Sequence, residues 1–312
     1  MISFLPHTGP RLYIGIVLIV CVAAQSIASD VTLAAQIEQL LNKELSEEVP
    51  DPATLSEVRQ IFREHGIPTV ALVGQEAAED YIVLTGYHQP VTFLQQILPA
   101  LKAAVDNREM PVNDYLYLSA QVRERQVEES SNAKPANPEL RDEIEELFQT
   151  DQSARQKIDF DPKKMEEVDV HDAVQEHAIF ANYGVPTYSM VGPRAAKDFI
   201  VLIEHQPVEF MEQVLPKLKQ NVDMGQADPA DYASMFDRVQ TDQKKPQRYG
   251  MNFVCTPEGK LAPSPIEDVA HLDRRRAEVG LLPMRLYAKL VIQNSPQGFC
   301  EKIAASGKQT KH

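Results

Sequence analysis

Helical periodicity dominates the distribution of apolar and polar residues along the chain. In residues 34–47 the apolar positions recur every three or four residues, at Ile37, Leu40, Leu41 and Leu45. This spacing predicts an amphipathic helix with one buried face. A second such helix is predicted to begin at Asn137 and Pro138, which suit the N-cap and the first helical position. Its apolar positions are Leu140, Ile144, Leu147 and Phe148.

One stretch of this pattern occurs twice. His88 to Asp106 reads HQPVTFLQQILPALKAAVD, and 117 positions later His205 to Asp223 reads HQPVEFMEQVLPKLKQNVD, with 12 of 19 residues identical. Upstream, a Gly-x-Pro-Thr sequence at 66–69 recurs at 184–187 with an offset of 118. Each copy is predicted to contain a loop that ends at a glycine, a helix with paired alanines and a helix with an internal proline.

Only the second copy continues into a C-terminal tail. Residues 251–255 have β propensity and precede turn-forming residues at 257–259, so a small hairpin is predicted there. Two short helices are predicted to follow, from Val269 to Val279 and from Pro283 to Ile292. The predicted fold is mainly α, a tandem duplicated helical unit with a small β-hairpin near the C-terminus. The predicted divisions are an N-terminal signal at 1–28, a divergent first repeat at 29–127, a linker at 128–138, and the second repeat with hairpin and C-terminal helices at 139–312.

The N-terminus resembles an export signal. Arg11 precedes an uncharged apolar core from Leu12 to Ala24, and Ser26-Ile27-Ala28 offers a cleavage pattern before Ser29. The expected location is periplasmic or secreted. The alternative is a membrane anchor formed by residues 12–28, although the apolar run is shorter than the roughly 20 residues of a membrane span. Contact with a membrane is expected only if this segment is retained.

The charge, the cysteine content and the motifs of the chain limit which partners, cofactors and cysteine states are expected. The formal net charge of −14 and the pI of about 5.1 argue against nucleic acid, because phosphate binding needs clustered lysine and arginine. Removal of the signal leaves Cys255 and Cys300, which form either one disulfide or two buried thiols. The chain contains no Gly-rich phosphate loop, GxSxG, HExxH or EF-hand sequence, so no cofactor and no metal is expected.

Comparison of the two copies selects polar residues that occur only in the second. Asp237 and Arg238 replace an alanine and a glutamine of the first copy, and His177 replaces an arginine. Gln247 and Tyr249 belong to a segment that the first copy lacks. Either the second copy retains a polar site that the first has lost, or these positions are exposed and have drifted.

The histidines have different expected roles. His205 matches His88 of the first copy, and a histidine at a helix end can cap carbonyl groups and interact with the helix dipole. This structural role is preferred for His205, and a general base is the alternative. His171 and His177 are six residues apart, which is 240° around a helix, so these two alone do not form a metal site.

Two further groups of charged residues are considered. Asp172 and Glu176 are four positions apart and share a helix face, which predicts a solvated acidic stripe, with a pair of general acid and base carboxylates as the alternative. Arg238, if buried, is expected to bind Glu267 or Asp268 and so clamp the tail onto the helices, because arginine binds carboxylates through two parallel hydrogen bonds.

Spaced motifs in the second copy and its tail carry a family resemblance. They include Gly184-x-Pro186, Ala195-Ala196, His205-Gln206, Asp237-Arg238-Val239, Gln247-x-Tyr249-Gly250 and Pro265-Ile266-Glu267-Asp268. In this order, from about Leu140 to Tyr287, they resemble an uncharacterised bacterial family, the domain of unknown function 6624. The resemblance implies a shared fold and no particular activity.

Two functions are compatible with these features. The preferred hypothesis is an exported binding or interaction module of the cell envelope, with an unknown protein or a small-molecule ligand as partner. The alternative is a hydrolase with a pocket in the second repeat. Its residues are expected to be His177 or His205 as base, together with Asp237, Arg238, Gln247 and Tyr249. Convergence of these side chains in one concave pocket would favour the enzyme.

Overall fold

A computed structural model describes residues 32–46, 50–131, 135–157, 162–296 and 298–305 of the chain. The chain divides into two compact units, Met1–Asp114 and Tyr115–His312. The predicted signal peptide and the alternative membrane anchor lie outside the described residues. Within the described ranges, no helix combines the length and the apolar character needed to cross a bilayer.

The first unit consists of helices around an apolar core. Its elements are α1 (32–44), α2 (Pro52–His65), α3 (Val70–Val73), α4 (Gln75–His88) and α5 (Val91–Asp106). Asp51 caps α2, because its carboxylate accepts hydrogen bonds from the N–H groups of Ala53 and Thr54. The largest fully buried apolar side chains include Ile37, Tyr81, Ile82, Leu84, Leu94, Ile97 and Leu101. Helix α6 (Val112–Ser131) begins in this unit and continues into the second.

The second unit repeats this order of helices. Its elements are α7 (Pro138–Lys157), α8 (Pro162–Tyr183), α9 (Tyr188–Val191), α10 (Pro193–Ile203), α11 (Val208–Asp223) and α12 (Pro229–Asp242). Helix α7 packs against α8 and α10, and α11 packs against α12. The core between them contains Ile144, Phe199, Leu202, Met211, Val214 and Leu218.

The structure confirms the predicted cap at Asn137 and corrects the predicted loops. Asn137 accepts a hydrogen bond from the N–H of Leu140, and Asp228 accepts one from the N–H of Ala230, so both cap the helices that follow. The predicted Gly-x-Pro-Thr loops each contain a single helical turn, α3 or α9. In α9 this turn starts because the hydroxyl of Thr187 accepts a hydrogen bond from a backbone N–H three residues later.

The tail has the predicted hairpin. Strands β1 (Phe253–Cys255) and β2 (Leu261–Pro263) are antiparallel, so the mainly α fold with a small C-terminal hairpin is confirmed. A 3₁₀ turn (Val269–His271) leads into α13 (Leu272–Glu278), which α14 (Met284–Asn294) and an unpredicted α15 (Phe299–Ala305) follow. Cys255 and Cys300 form a disulfide between β1 and α15, so these two cysteines are not free thiols.

Candidate functional site

Carboxylates occupy buried positions on the facing sides of α7 and α8. Asp151 continues the apolar stripe of α7 formed by residues 140, 144 and 147. Asp169, Asp172 and Glu176 share one side of α8 at spacings of three and four residues. Asp151 and Glu176 are each 1% exposed and Asp172 is 2% exposed. Charged groups this deeply buried need partners, because the loss of hydration is costly.

An arginine and a histidine lie among these carboxylates. Arg155, one turn after Asp151 on α7, places Nη2 2.7 Å from Asp151 Oδ1 and 2.5 Å from Asp169 Oδ1. His205 follows α10, and its Nδ1 lies 3.8 Å from Asp151 Oδ1. One ligand atom each from Asp151, Asp169 and His205 lies within 4.8 Å of the other two. The acid–histidine cluster is defined here as Asp151, Arg155, Asp169, Asp172, Glu176 and His205.

Three polar atoms of this cluster are buried without a hydrogen-bond partner. They are Asp172 Oδ2, Glu176 Oε2 and His205 Nδ1. The other oxygen of Asp172 lies 2.7 Å from Nδ1 of the exposed His171. A buried polar atom without a partner costs about 1–3 kcal/mol, so these three atoms mark a place where a bound group would be stabilising.

Burial shifts the acidity of two members of the cluster. Burial, together with the charges of Asp172, Asp151 and Asp169 and against the opposing effect of Arg155, raises the pKa of Glu176 to about 8. Burial also lowers the pKa of His205, as does the charge of Arg155. At neutral pH the imidazole is therefore uncharged, with a ring nitrogen able to bind a cation or accept a proton.

An open groove between α7 and α8 borders the cluster at Asp172. Its volume is about 360 Å³, and its walls are Thr150, Ala154, Lys164, Glu167, Val168, His171 and Asp172. Asp172 belongs to both the groove and the cluster. A small ligand in this groove therefore lies against Asp172, at the edge of the cluster.

The first unit contains a reduced version of this arrangement. Glu44 is 1% exposed, and its Oε1 lies 4.0 Å from Nε2 of His88, which is the counterpart of His205. With the offset of 118, the two buried carboxylates of α8 correspond to Thr54 and Val58. The first unit thus keeps one carboxylate beside a histidine and lacks the two acids behind them.

The structure corrects two sequence-based expectations in this region. The predicted solvated stripe at Asp172 and Glu176 is wrong, because α8 packs this face against α7 and buries both carboxylates. The preferred capping role of His205 is also wrong, since its Nδ1 is buried beside Asp151 and makes no hydrogen bond. His177 lies apart from the cluster: it is exposed, and its ring centroid is 3.8 Å from that of Phe210.

Asp151, Arg155 and Asp169 were not among the predicted site residues. A signal for Asp151 exists in the sequence, because an acid continues a buried apolar stripe in both copies, as Glu44 does after Ile37 and Leu41. An acid at such a position is either paired or functional. Arg155 and Asp169 carry no comparable local signal.

Asp237 organises the start of the tail. It is fully buried, and its carboxylate accepts hydrogen bonds from the backbone N–H groups of Arg248 (2.7 Å), Tyr249 (3.0 Å) and Met251 (3.0 Å). Tyr249 is itself buried, and its ring makes an edge contact with that of Phe236. These contacts fix the turn between α12 and β1.

Gln247 has a similar structural role. Its amide nitrogen donates to the carbonyl oxygens of Asn252 and Ser264, each at 2.9 Å, and its amide oxygen accepts from the N–H of Asn252. A fully buried side-chain amide is thus satisfied by backbone groups on both sides of the hairpin. Both N–H donors of the side-chain amide are therefore used within the tail.

The expected pairing of Arg238 with the tail is wrong. Arg238 Nε lies 4.0 Å from Asp242 Oδ2, one turn further along α12. Arg275 of α13 takes the predicted role, because it donates to the backbone carbonyl oxygens of Glu267 (2.8 Å) and Asp268 (3.1 Å). Arg275 can bind this segment because it is buried beneath residues 267 and 268, whereas the side chain of Arg238 lies along its own helix, α12.

The predicted pocket is therefore divided between two places. Arg238 acts on the cluster, since its charge contributes to the lowered pKa of His205, whereas Asp237, Gln247 and Tyr249 bind backbone groups or pack in the tail. The sequence profile of a family of unknown function (DUF6624) matches residues 138–296, which include both regions. No curated protein and no solved structure matches the chain.

Proposed function

Since the chain belongs to the family of unknown function DUF6624, we propose a function from the geometry of its second unit: the protein is an exported binding protein that holds a positively charged ligand in the acid–histidine cluster. The observation that carries this proposal is the set of three buried, unpartnered atoms, Asp172 Oδ2, Glu176 Oε2 and His205 Nδ1. All three have lone pairs, and a cation satisfies lone pairs.

The charge balance of the cluster supports a cationic ligand. Asp151 and Asp169 both contact the guanidinium of Arg155, and Asp172 is a further buried carboxylate of the cluster, so the carboxylates outnumber the guanidinium of the cluster even with Glu176 protonated. Excess charge of one sign in a partly desolvated site attracts ligands of the opposite sign. The groove beside Asp172 can hold a small ligand at the edge of the cluster.

Two observations support export to the cell envelope. The first 28 residues have the pattern of a cleavable signal, and the tail contains the Cys255–Cys300 disulfide, a bond typical of oxidising compartments. Expression of the full chain in a bacterial host, followed by fractionation and N-terminal sequencing, tests this part. We expect an envelope or secreted protein that begins at Ser29, and a cytoplasmic product that retains Met1 contradicts export.

A ligand screen by thermal unfolding tests the binding function. Divalent metal ions and organic amines are added separately to the wild type and to Asp172→Asn, with Asp142→Asn, an exposed position on α7, as matched control. A ligand at 100 times its Kd stabilises by about 2.7 kcal/mol, which raises Tm by roughly 5–10 °C in a unit of this size. We expect this rise in Tm in the wild type and in the control Asp142→Asn, and a smaller rise in Asp172→Asn. If no cation shifts Tm, or the cluster variant responds like the wild type, the proposal fails.

A hydrolase is the second candidate, favoured by the neutral imidazole of His205 beside Asp151. A histidine in this state can act as a general base. With Asp237, Gln247 and Tyr249 engaged by the tail, this candidate depends on His205 and Arg238. Turnover of ester or phosphoester reporters by the wild type, abolished in His205→Gln but retained in His88→Gln, would favour it over simple binding.

A further inference from the structure

We propose that the ligand of the acid–histidine cluster is a divalent transition-metal ion, coordinated by one carboxylate oxygen each of Asp151 and Asp169 and by Nδ1 of His205. The inference rests on the proposed function, because it names the ligand of the same site. It goes beyond that function by fixing the ligand's chemistry and its three protein ligands.

The separation of the three ligand atoms suits a single metal ion. Each lies within 4.8 Å of the other two. Oxygen and nitrogen ligands bind first-row metals at about 2.1 Å, so two ligands of one ion lie at most about 4.2 Å apart. Side-chain movements of well under 1 Å bring all three into coordination distance. The ligands come from α7, α8 and the turn after α10, three elements that pack against one another.

Two further carboxylates point to a ligand independently of these three residues. Glu176 is 1% exposed and Asp172 is 2% exposed, and each has one oxygen without a hydrogen-bond partner. Both belong to the same face of α8 as Asp169. They can complete the coordination sphere directly or accept hydrogen bonds from metal-bound water, as outer carboxylates do at metal sites.

Without metal, the guanidinium of Arg155 supplies the positive charge between Asp151 and Asp169. Its guanidinium contacts both Asp151 and Asp169, the two carboxylates assigned to the ion. A monovalent side chain thereby keeps two like charges close together. Metal binding exchanges this guanidinium for a divalent ion, so Arg155 is a competitor of the metal rather than a ligand.

The types of ligand atom at the site determine which class of metal ion is expected to bind. One imidazole nitrogen with carboxylate oxygens suits Zn²⁺, Fe²⁺ or Mn²⁺, whereas Ca²⁺ and Mg²⁺ prefer oxygen ligands alone. Among the described residues no such group forms in the first unit, because Asp51, the counterpart of Asp169, caps α2 and pairs with Lys43 instead of meeting Glu44 and His88. Thr54 and Val58 there replace the outer acids Asp172 and Glu176. One strong site per chain is expected, in the second unit.

Calorimetric titration of the full-length mature protein tests the proposal, with Zn²⁺ and Mg²⁺ as separate probes. We expect one equivalent of Zn²⁺ to bind, with Mg²⁺ at least 100-fold weaker. Asp151→Asn and His205→Gln are expected to weaken Zn²⁺ binding at least 100-fold, whereas the matched first-unit variant His88→Gln leaves it unchanged. Equal Zn²⁺ affinity in the wild type and His205→Gln overturns the assignment, because Zn²⁺ then binds exposed histidines.

A second variant is expected to strengthen metal binding, and a gain in affinity is not explained by a failure to fold. Arg155→Gln removes the competing guanidinium, so we expect Zn²⁺ affinity to rise at least 10-fold, whereas the exposed control Arg141→Gln leaves it unchanged. Unchanged or weaker binding in Arg155→Gln contradicts the exchange. If organic amines stabilise the wild type through Asp172 but Zn²⁺ does not bind, the metal inference fails and the binding function stands.

Discussion

Buried polar side chains in this protein differ in whether the fold supplies their partners. Asp237 has three backbone N–H groups as partners and stabilises the tail. Glu176 and Asp172, which are equally buried, each keep an oxygen without a partner. The presence or absence of partners therefore distinguishes a structural carboxylate from a candidate binding group more clearly than the residue type does.

Removal of the Asp237 carboxylate should destabilise the second unit strongly. Asp237→Ala leaves three backbone N–H groups, of which that of Tyr249 is buried, without their acceptor. An unsatisfied buried group costs about 1–3 kcal/mol, so we expect the three together to lower the free energy of unfolding by about 3–5 kcal/mol in urea titrations. The control is Asp223→Ala, which removes an exposed ion pair with Lys219 and should change stability by less than about 1 kcal/mol. Equal losses in both variants would contradict the structural role of Asp237.

Asp114 makes the stability of the first unit depend on pH. Burial, together with the charge of Glu79, raises its pKa to about 7. The folded state therefore binds more protons than the unfolded state between about pH 4 and pH 7, so its stability falls as pH rises through this window. In Asp114→Asn we expect this fall to shrink by up to about 4 kcal/mol, because the pKa differs by about three units between the folded and unfolded states and each unit corresponds to about 1.4 kcal/mol.

Urea unfolding at several pH values measures this effect. Asp106→Asn is the control, because Asp106 is exposed and pairs only with the neighbouring Lys102 in the described ion pairs. An unchanged pH slope in Asp114→Asn would show that Asp114 does not titrate in this range.

At the scale of elements, the tail is attached to the helices at defined points. One of them is the turn after α13, where Gly280 has a positive φ of 76° and its carbonyl accepts a hydrogen bond from Gln121 of α6. A Cβ at this position would lie 3.2 Å from Gln121 Nε2 and 3.4 Å from Ala120 Cβ. Backbone conformation and close packing both favour glycine here.

A pair of alanine substitutions separates these two effects. Gly259 has nearly the same φ, 75°, but a Cβ there would meet nothing within 4 Å. We expect Gly259→Ala to cost about 1 kcal/mol, the strain of the left-handed conformation, and Gly280→Ala to cost clearly more. Chemical denaturation of both variants measures the difference. Equal costs would mean that the turn does not pack tightly on α6.

The disulfide connects the hairpin to the last described helix. Cys255 and Cys300 are 45 residues apart, and a crosslink of this loop length stabilises by about 4 kcal/mol in the chain-entropy model. We expect the double variant Cys255→Ser, Cys300→Ser to lose stability of this order, and reductant to have the same effect on the wild type alone. Two reactive thiols in the unfolded, unreduced mature protein would contradict the bond.

At the scale of the whole molecule, local patterns and long-range contacts differ in how far the sequence predicts them. The spacing of apolar residues predicted α1 and α7, and β propensity followed by turn residues predicted the C-terminal hairpin, because both signals act over a few positions. The repeat predicted that both units share a scaffold. The cluster was not predicted, since Asp151 and His205 are 54 positions apart and meet only when α7 packs on α10.

The same limit explains the misassigned arginine. Arg238 and Arg275 both lie on helices beside acidic residues, and the sequence does not specify which helix passes beneath Glu267 and Asp268. In the packed structure Arg275 is buried beneath these two residues. Its guanidinium, unlike that of Arg238, donates hydrogen bonds to their carbonyl groups. Residues that act through tertiary contacts require the packed structure for their assignment.

The two units together form an internal comparison of one scaffold with and without a complete cluster. The central claim is that the second unit binds a cation between Asp151, Asp169 and His205. An anomalous-difference map from crystals of the mature protein grown with Zn²⁺ tests it most directly. We expect one strong peak at about 2.1 Å from these three side chains, with none at Glu44 and His88. Peaks confined to exposed histidines such as His171 or His271, with Arg155 still bound to both carboxylates, would contradict it.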